Sequence, residues 1–286
     1  MPVVIKTPGA SISGELTPAD PILTNGSLLL VEPAHPRRAW ASGVPAQNAT
    51  IPNVARTQAS ALLGVAPSAV EAIAKNTITA TEGVVERTAK GGVNTVVSQT
   101  AGTFPRQFGI AIPESIRTYI ATNKANRFYM SLWFRPTKNP ATGTTWRYAF
   151  IIPTSSATTA SITGIAHDGA GTFFSTPTAS DARRLGATEV RVGVNRFQAV
   201  AANGAPSSGW TAAVTSAFEQ IVQYGARLSG EEQKSPSGWF YRVYIEDLTV
   251  SGRSFDQVRQ RDQALWTGAF GTGGRYEGDS APTPSV

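Results

Sequence analysis

The stretch Arg127-Phe128-Tyr129-Met130-Ser131-Leu132-Trp133-Phe134-Arg135 decides the fold class. Phe128, Met130, Leu132 and Phe134 alternate with Arg127, Tyr129, Ser131 and Trp133. An apolar side chain at every second position is the period of a β-strand with one buried face.

The same reading extends outward. Val190, Val192 and Val194 alternate with Glu189, Arg191, Gly193 and Asn195, which predicts another strand. Trp239 to Val250 carries aromatic and β-branched residues on both faces, as a central or covered strand does. Further strands are expected over 93–100, 146–152, 162–166 and 220–227.

Helices are few. Thr57 to Leu63 and Pro67 to Lys75 each allow a short one, and Ser68 with Glu71 has capping-box spacing. Pro113 to Asn126 begins with a proline suited to a first turn and sets Ile116, Tyr119 and Ile120 on one stripe. Ser254 with Gln257 gives another capping box, after which Phe255, Val258, Leu265, Trp266 and Phe270 mark an apolar face.

Many strands, marginal helices and no regular strand-helix alternation predict an all-β chain. The expected form is a two-sheet antiparallel sandwich of the jelly-roll, lectin-like kind, with an extended N-terminal arm and one or two peripheral helices. No internal repeat is present, which excludes solenoids and propellers.

The arm is read from the prolines at 2, 8, 18, 21, 33, 36, 45 and 52, which forbid a long helix and fit poorly inside a sheet. Apolar residues recur among them, so the segment is not a disordered tail. Residues 1–52 are therefore expected to anchor the chain to another protein, through Ile22, Leu23, Leu28, Leu29, Leu30 and Trp40. Residues 53–80 would be a short helical connector, and 81–286 the sandwich with a C-terminal helix and tail.

Composition narrows the function classes. A chain of 286 residues can bury a sizeable core, and with no cysteine neither disulfides nor thiolate metal sites contribute. Net charge is +6, yet the basic residues are scattered, with pairs at Arg37-Arg38 and Arg183-Arg184. No basic run or RNA-binding aromatic motif appears, so nucleic acid is disfavoured against an acidic protein surface or lipopolysaccharide. The N-terminal sequence lacks the pattern of a signal peptide and no stretch reaches membrane-spanning length, so synthesis in a cytoplasm and no membrane partner are expected.

Catalytic constellations are scarce. There are two histidines, His35 and His167, and His167-Asp168-Gly169 has the composition of a turn. No nucleophile elbow, phosphate loop or dinucleotide fingerprint occurs, and the glycines between Gly268 and Gly274 follow a helix rather than a strand. Glu246 and Asp247 are adjacent, hence on opposite faces of a regular strand. The expectation is a non-enzymatic chain without catalytic residues, metal or cofactor. Trp146, Trp210 and Tyr276, in polar, Gly-rich surroundings, are candidates to stack on a saccharide ring.

Two stretches carry a resemblance. Phe128 to Arg135 is similar to a strand of concanavalin-A-like and laminin-G-like jelly rolls. The block from Tyr241 to Arg253, continuing through Asp262, Trp266 and Phe270 to Gly273-Gly274-Arg275-Tyr276, resembles bacteriophage virion proteins in which a lectin-like sandwich ends in a strand and a helix. The likeness spans about residues 84 to 280, and Trp40 to Leu63 also resembles the N-terminal part of such proteins.

The resemblance implies a structural component of a bacteriophage particle, a capsid decoration or a tail- or fibre-associated protein. Its partners would be other virion proteins and copies of itself, a homotrimer being one form. The alternative is a module that binds a host-surface polysaccharide or receptor, and the third reading is a polysaccharide-degrading enzyme.

Overall fold

The computed structural model describes residues 3–7, 10–14, 20–40, 43–99, 105–138, 145–153, 162–168, 173–176, 183–203, 220–226 and 236–283. Strands β1 (Val3–Thr7) and β2 (Ala10–Gly14) come first, then β3 (Ser27–Val31) and β4 (Thr50–Ile51). Helix α1 (Arg56–Leu63) and a 3₁₀ turn (Pro67–Val70) precede β5 (Ala72–Asn76), β6 (Gly83–Arg87), β7 (Val93–Val97) and β8 (Arg106–Ala111). After α2 (Glu114–Thr122) run β9 (Arg127–Lys138), β10 (Thr145–Pro153), β11 (Ile162–Asp168) and β12 (Phe173–Thr176). The chain continues through β13 (Arg184–Val192), β14 (Asn195–Asn203), β15 (Gln220–Ala226) and β16 (Ser237–Asp247), then α3 (Leu248–Ser251) and α4 (Phe255–Phe270).

These strands build the expected two-sheet antiparallel sandwich. One sheet has the order β12-β11-β10-β15-β8-β5-β4 and the other β13-β14-β9-β16-β7-β6. In the second sheet β16 pairs with β9 along one edge, while β7 and β3 share its other edge end to end.

Between the sheets lie Phe128, Met130, Leu132 and Phe134 of β9, clustered with Phe108 and Ile110 of β8 and Val222 and Tyr224 of β15. Each such side chain contributes about 1.5–3 kcal/mol by leaving water. The opposite face of β9 is buried too, which differs from the one-sided strand expected. Tyr129, Ser131 and Trp133 are fully covered, with Val258, Trp266, Ala269 and Phe270 of α4 in the same cluster as the two aromatics. The capping box of α4 is present as read, Ser254 accepting from the Gln257 N–H and Gln257 from that of Ser254.

The arm reading is corrected from Asp20 onward. Leu29, Leu30 and Val31 of β3 pair with Ile245, Tyr244 and Val243 of β16, so this segment is a strand of the second sheet. Ile22, Leu28, Leu29, Leu30 and Trp40 are buried inside this chain, and the half-buried Leu23 packs against the same core, so the first five are not open to another protein. Pro21, Pro33 and Pro36 fall in turns between these elements, where a missing N–H costs little. The connector is likewise integral: after the 3₁₀ turn the chain enters β5, and no helix runs to Lys75.

Asn53 ties this region together. Its side-chain oxygen accepts from the N–H groups of Leu30 and Ala55, and its amide donates to the carbonyls of Leu28 and Val70. A buried amide with every capacity used fixes β3, the start of α1 and the 3₁₀ turn in one arrangement.

The valine alternation is interrupted where the sequence predicted one strand. Val192 pairs with Asn195 across a two-residue turn, and Gly193 holds its first central position with φ 58°. Glycine takes that conformation without steric cost.

Candidate functional site

The saccharide-stacking residues do not assemble. Tyr276 is buried, its hydroxyl donating to Glu32 at 2.9 Å and its ring 4.6 Å from that of Tyr241. It packs the core beneath α4 and offers no platform to a sugar, which corrects the expectation. Trp146 lies on β10 opposite His167 of β11, but its side chain is outside the described residues, as is all of Trp210.

Two acids that the sequence placed at a strand end are structural. Glu246 is buried and bonded by Arg253 and Tyr244. Asp247 caps α3 through the N–H groups of Thr249 and Val250 and accepts from Tyr119 and Asn126.

Sequence reasoning missed a buried ionic cluster. Asp20, Glu32 and His35 bring ligand atoms within 4.8 Å of one another, the spacing of a metal cage. The Arg242 guanidinium already occupies that position, donating to Asp20 at 2.9 Å and Glu32 at 3.0 Å, with its carbon 4.6 Å from the Trp133 ring centre. His35 Nδ1 accepts from the Arg37 N–H, so Nε2 carries the proton toward Asp20 at 3.2 Å. Burial by itself would raise Asp20, but Arg242, His35 and the Ile22 N–H together hold it well below the usual carboxylate range. A fixed cation thus does the work a metal would do, and the group braces the turn before β3 against β16. Asp20 and Arg242 are 222 positions apart, and no local pattern joins them.

Open surfaces are found elsewhere. Strands β1 and β2 pair with each other, Val3 opposite Gly14 through Thr7 opposite Ala10, and belong to neither sheet of the sandwich. Both outer edges of this hairpin are therefore without a strand partner among the described residues. At the sandwich margin β13 is an edge strand, and Leu185, Val192 and Val194 on it and its turn are exposed, the two valines by 53% and 50%. A groove of about 710 Å³ runs between α1, the 3₁₀ turn and α2, with Leu63, Val65 and Ile73 along it beside Thr118, Thr122 and Asn123.

No family model matches the chain, and no curated protein does. Among solved structures it is similar to a Trypanosoma rangeli sialidase in complex with 2,3-difluorosialic acid, at 12% identity and a TM-score of 0.39. The match covers 84% of this chain and 33% of that one. The same enzyme with 2,3-difluoro-KDN matches at 11% identity and a TM-score of 0.35, over 86% and 35% of the two chains. The chain thus spans about a third of the proteins it matches. These are enzymes, and the expectation of a non-enzymatic chain is withdrawn on that finding. At such scores the likeness carries no activity, substrate or residue role across.

Proposed function

We propose that the chain is a structural component of a bacteriophage particle, held in place by its N-terminal hairpin and associating with copies of itself. The observation that carries this reading is the hairpin β1–β2, paired with neither sheet of the sandwich. A two-stranded hairpin is marginal alone in water, and unpaired strand edges are templates for another chain. Anchoring, first assigned to residues 1–52, contracts to the residues before Asp20, because those from Asp20 onward are built into the core. The resemblance of the Tyr241–Tyr276 block to phage virion proteins supplies the setting.

The test is to delete residues 1–14 and measure incorporation into particles. Loss of incorporation with an unchanged sandwich supports the reading, and normal incorporation removes it.

The groove beside α2 favours a second reading, recognition of a host-surface glycan. Hydroxyl and amide groups of Thr118, Thr122 and Asn123 beside apolar walls match the mixed character of a sugar. A Thr118→Arg substitution, filling the groove from an exposed position, would abolish glycan retention on an array if this reading holds.

A further inference from the structure

We infer that the N-terminal end of α1 is a binding site for a phosphate or sulfate group carried on a larger molecule. The site stands independently of the particle assignment. It starts from Arg37-Arg38, one of the two basic pairs in the sequence, which the fold places beside Arg56. Together with Thr57 and Gln58 the three arginines line a pocket of about 200 Å³. A single liquid water occupies about 30 Å³, so the pocket has room for a tetrahedral oxyanion with its solvent.

The charges there are unbalanced. Among the described residues Glu71 is the carboxylate facing the group, bonded by Arg38 Nη2 at 2.8 Å and 3.6 Å from Arg56 Nη1. Its second oxygen accepts from the Asn53 N–H. Arg38 Nη1 is buried with no hydrogen-bond partner, a costly state for a guanidinium nitrogen. The Arg37 side chain has no carboxylate within ion-pair distance among the described residues. Three cations thus share one anion.

The helix adds to the imbalance. The position before α1 is Ala55, which offers no side-chain cap, and the first turn holds no acid. Arg56 stands instead at the first helical position, where a positive charge opposes the helix dipole. The N–H groups of Thr57 and Gln58 find no acceptor among the described residues, whereas that of Arg56 bonds the Asn53 carbonyl. Two N–H donors without an acceptor and three arginines around one pocket are groups suited to a dianion.

The pocket also has an approach for the rest of a ligand. Thr57 and Gln58 are shared with an open furrow of about 610 Å³, bordered by Thr24, Asn25, Leu62 and Val250. The chemical class is therefore a phosphorylated or sulfated organic molecule, the anion in the pocket and the carrier along the furrow.

The full chain is titrated with inorganic phosphate, sulfate and chloride at constant ionic strength, by calorimetry and by the thermal midpoint. Saturable binding of phosphate and sulfate at roughly millimolar strength, absent with chloride, is expected. Arg37→Gln with Arg56→Gln weakens it about tenfold or more, as loss of charge-assisted bonds does. Both side chains are exposed, so without phosphate the variant keeps its midpoint or gains, like-charge repulsion having been relieved. Equal shifts with chloride, or unweakened phosphate binding by the variant, overturn the assignment. Preference for phosphorylated over dephosphorylated lipopolysaccharide supports a group borne on a larger molecule, and equal retention of the two overturns that part of the assignment.

Discussion

Asp262 of α4 accepts a hydrogen bond from the Trp133 indole N–H of β9 at 3.1 Å, and this contact joins the outer helix to the central sheet. Tyr129 donates to the same carboxylate at 3.0 Å, and Ser131 completes the row. The polar face of β9 is thus a ladder of three donors aimed at one buried acid.

Replacing Asp262 with Ala leaves all three donors buried and unpaired. At about 1–3 kcal/mol for each such group the fold should lose at least ~3 kcal/mol, read as a lower urea midpoint with unchanged slope. Asp262→Asn, which keeps one acceptor oxygen, should lose less.

The Asp20–Arg242 pair gives a pH dependence with a defined sign. The folded state holds Asp20 below its unfolded pKa of about 3.9, so its stabilisation is complete above that value and fades as pH falls below it. Asp20→Asn should cost about 3–5 kcal/mol at pH 7, because Arg242 is left short of one partner. Chemical unfolding at pH 7 and pH 2.5 should show the gap between the two proteins narrowing at the acid end.

Gly186 sits under the Phe255 ring, and a Cβ at that position would meet ring atoms at 2.2 Å. Gly186→Ala should therefore push the start of α4 away from β13 and cost about 1–3 kcal/mol. Phe255→Ala in the same protein should recover part of that loss, which thermal unfolding of the two variants would reveal.

The exposed turn valines make a contrasting case. Val192→Lys with Val194→Lys should leave the thermal midpoint within about 0.5 kcal/mol equivalent of the unmodified chain, since neither side chain is packed. If the β13 edge takes part in self-association, the same variant lowers the mass measured by light scattering.

The sandwich was legible because its strands alternate and its last helix carries a capping box. Phe128, Met130, Leu132 and Phe134 mark the inner core, and Ser254 with Gln257 marks the start of α4. Tyr129, Ser131 and Trp133 were read as the open face because their partner, Asp262, lies 129 to 133 positions away. A local hint existed: Asp262 sits four residues after Val258 and four before Trp266, inside the apolar stripe of the helix. The β3 segment was mistaken for an arm because closely spaced prolines look alike in turns and in extended tails. Tyr276 shows the same limit, since a polar, Gly-rich context does not reveal that the ring and hydroxyl are buried against Tyr241 and Glu32.

The central claim is that the hairpin β1–β2 is the element of assembly, and the solution mass of the full chain beside a chain lacking residues 1–14 tests it most directly. Truncation at residue 14 spares the sandwich, whereas removal of residues 1–52 would take β3 out of the core. An oligomer that falls to monomer without the hairpin, with an unchanged thermal midpoint for the sandwich, is the predicted result. The same number of chains per particle in both proteins, whether monomer or oligomer, would contradict it.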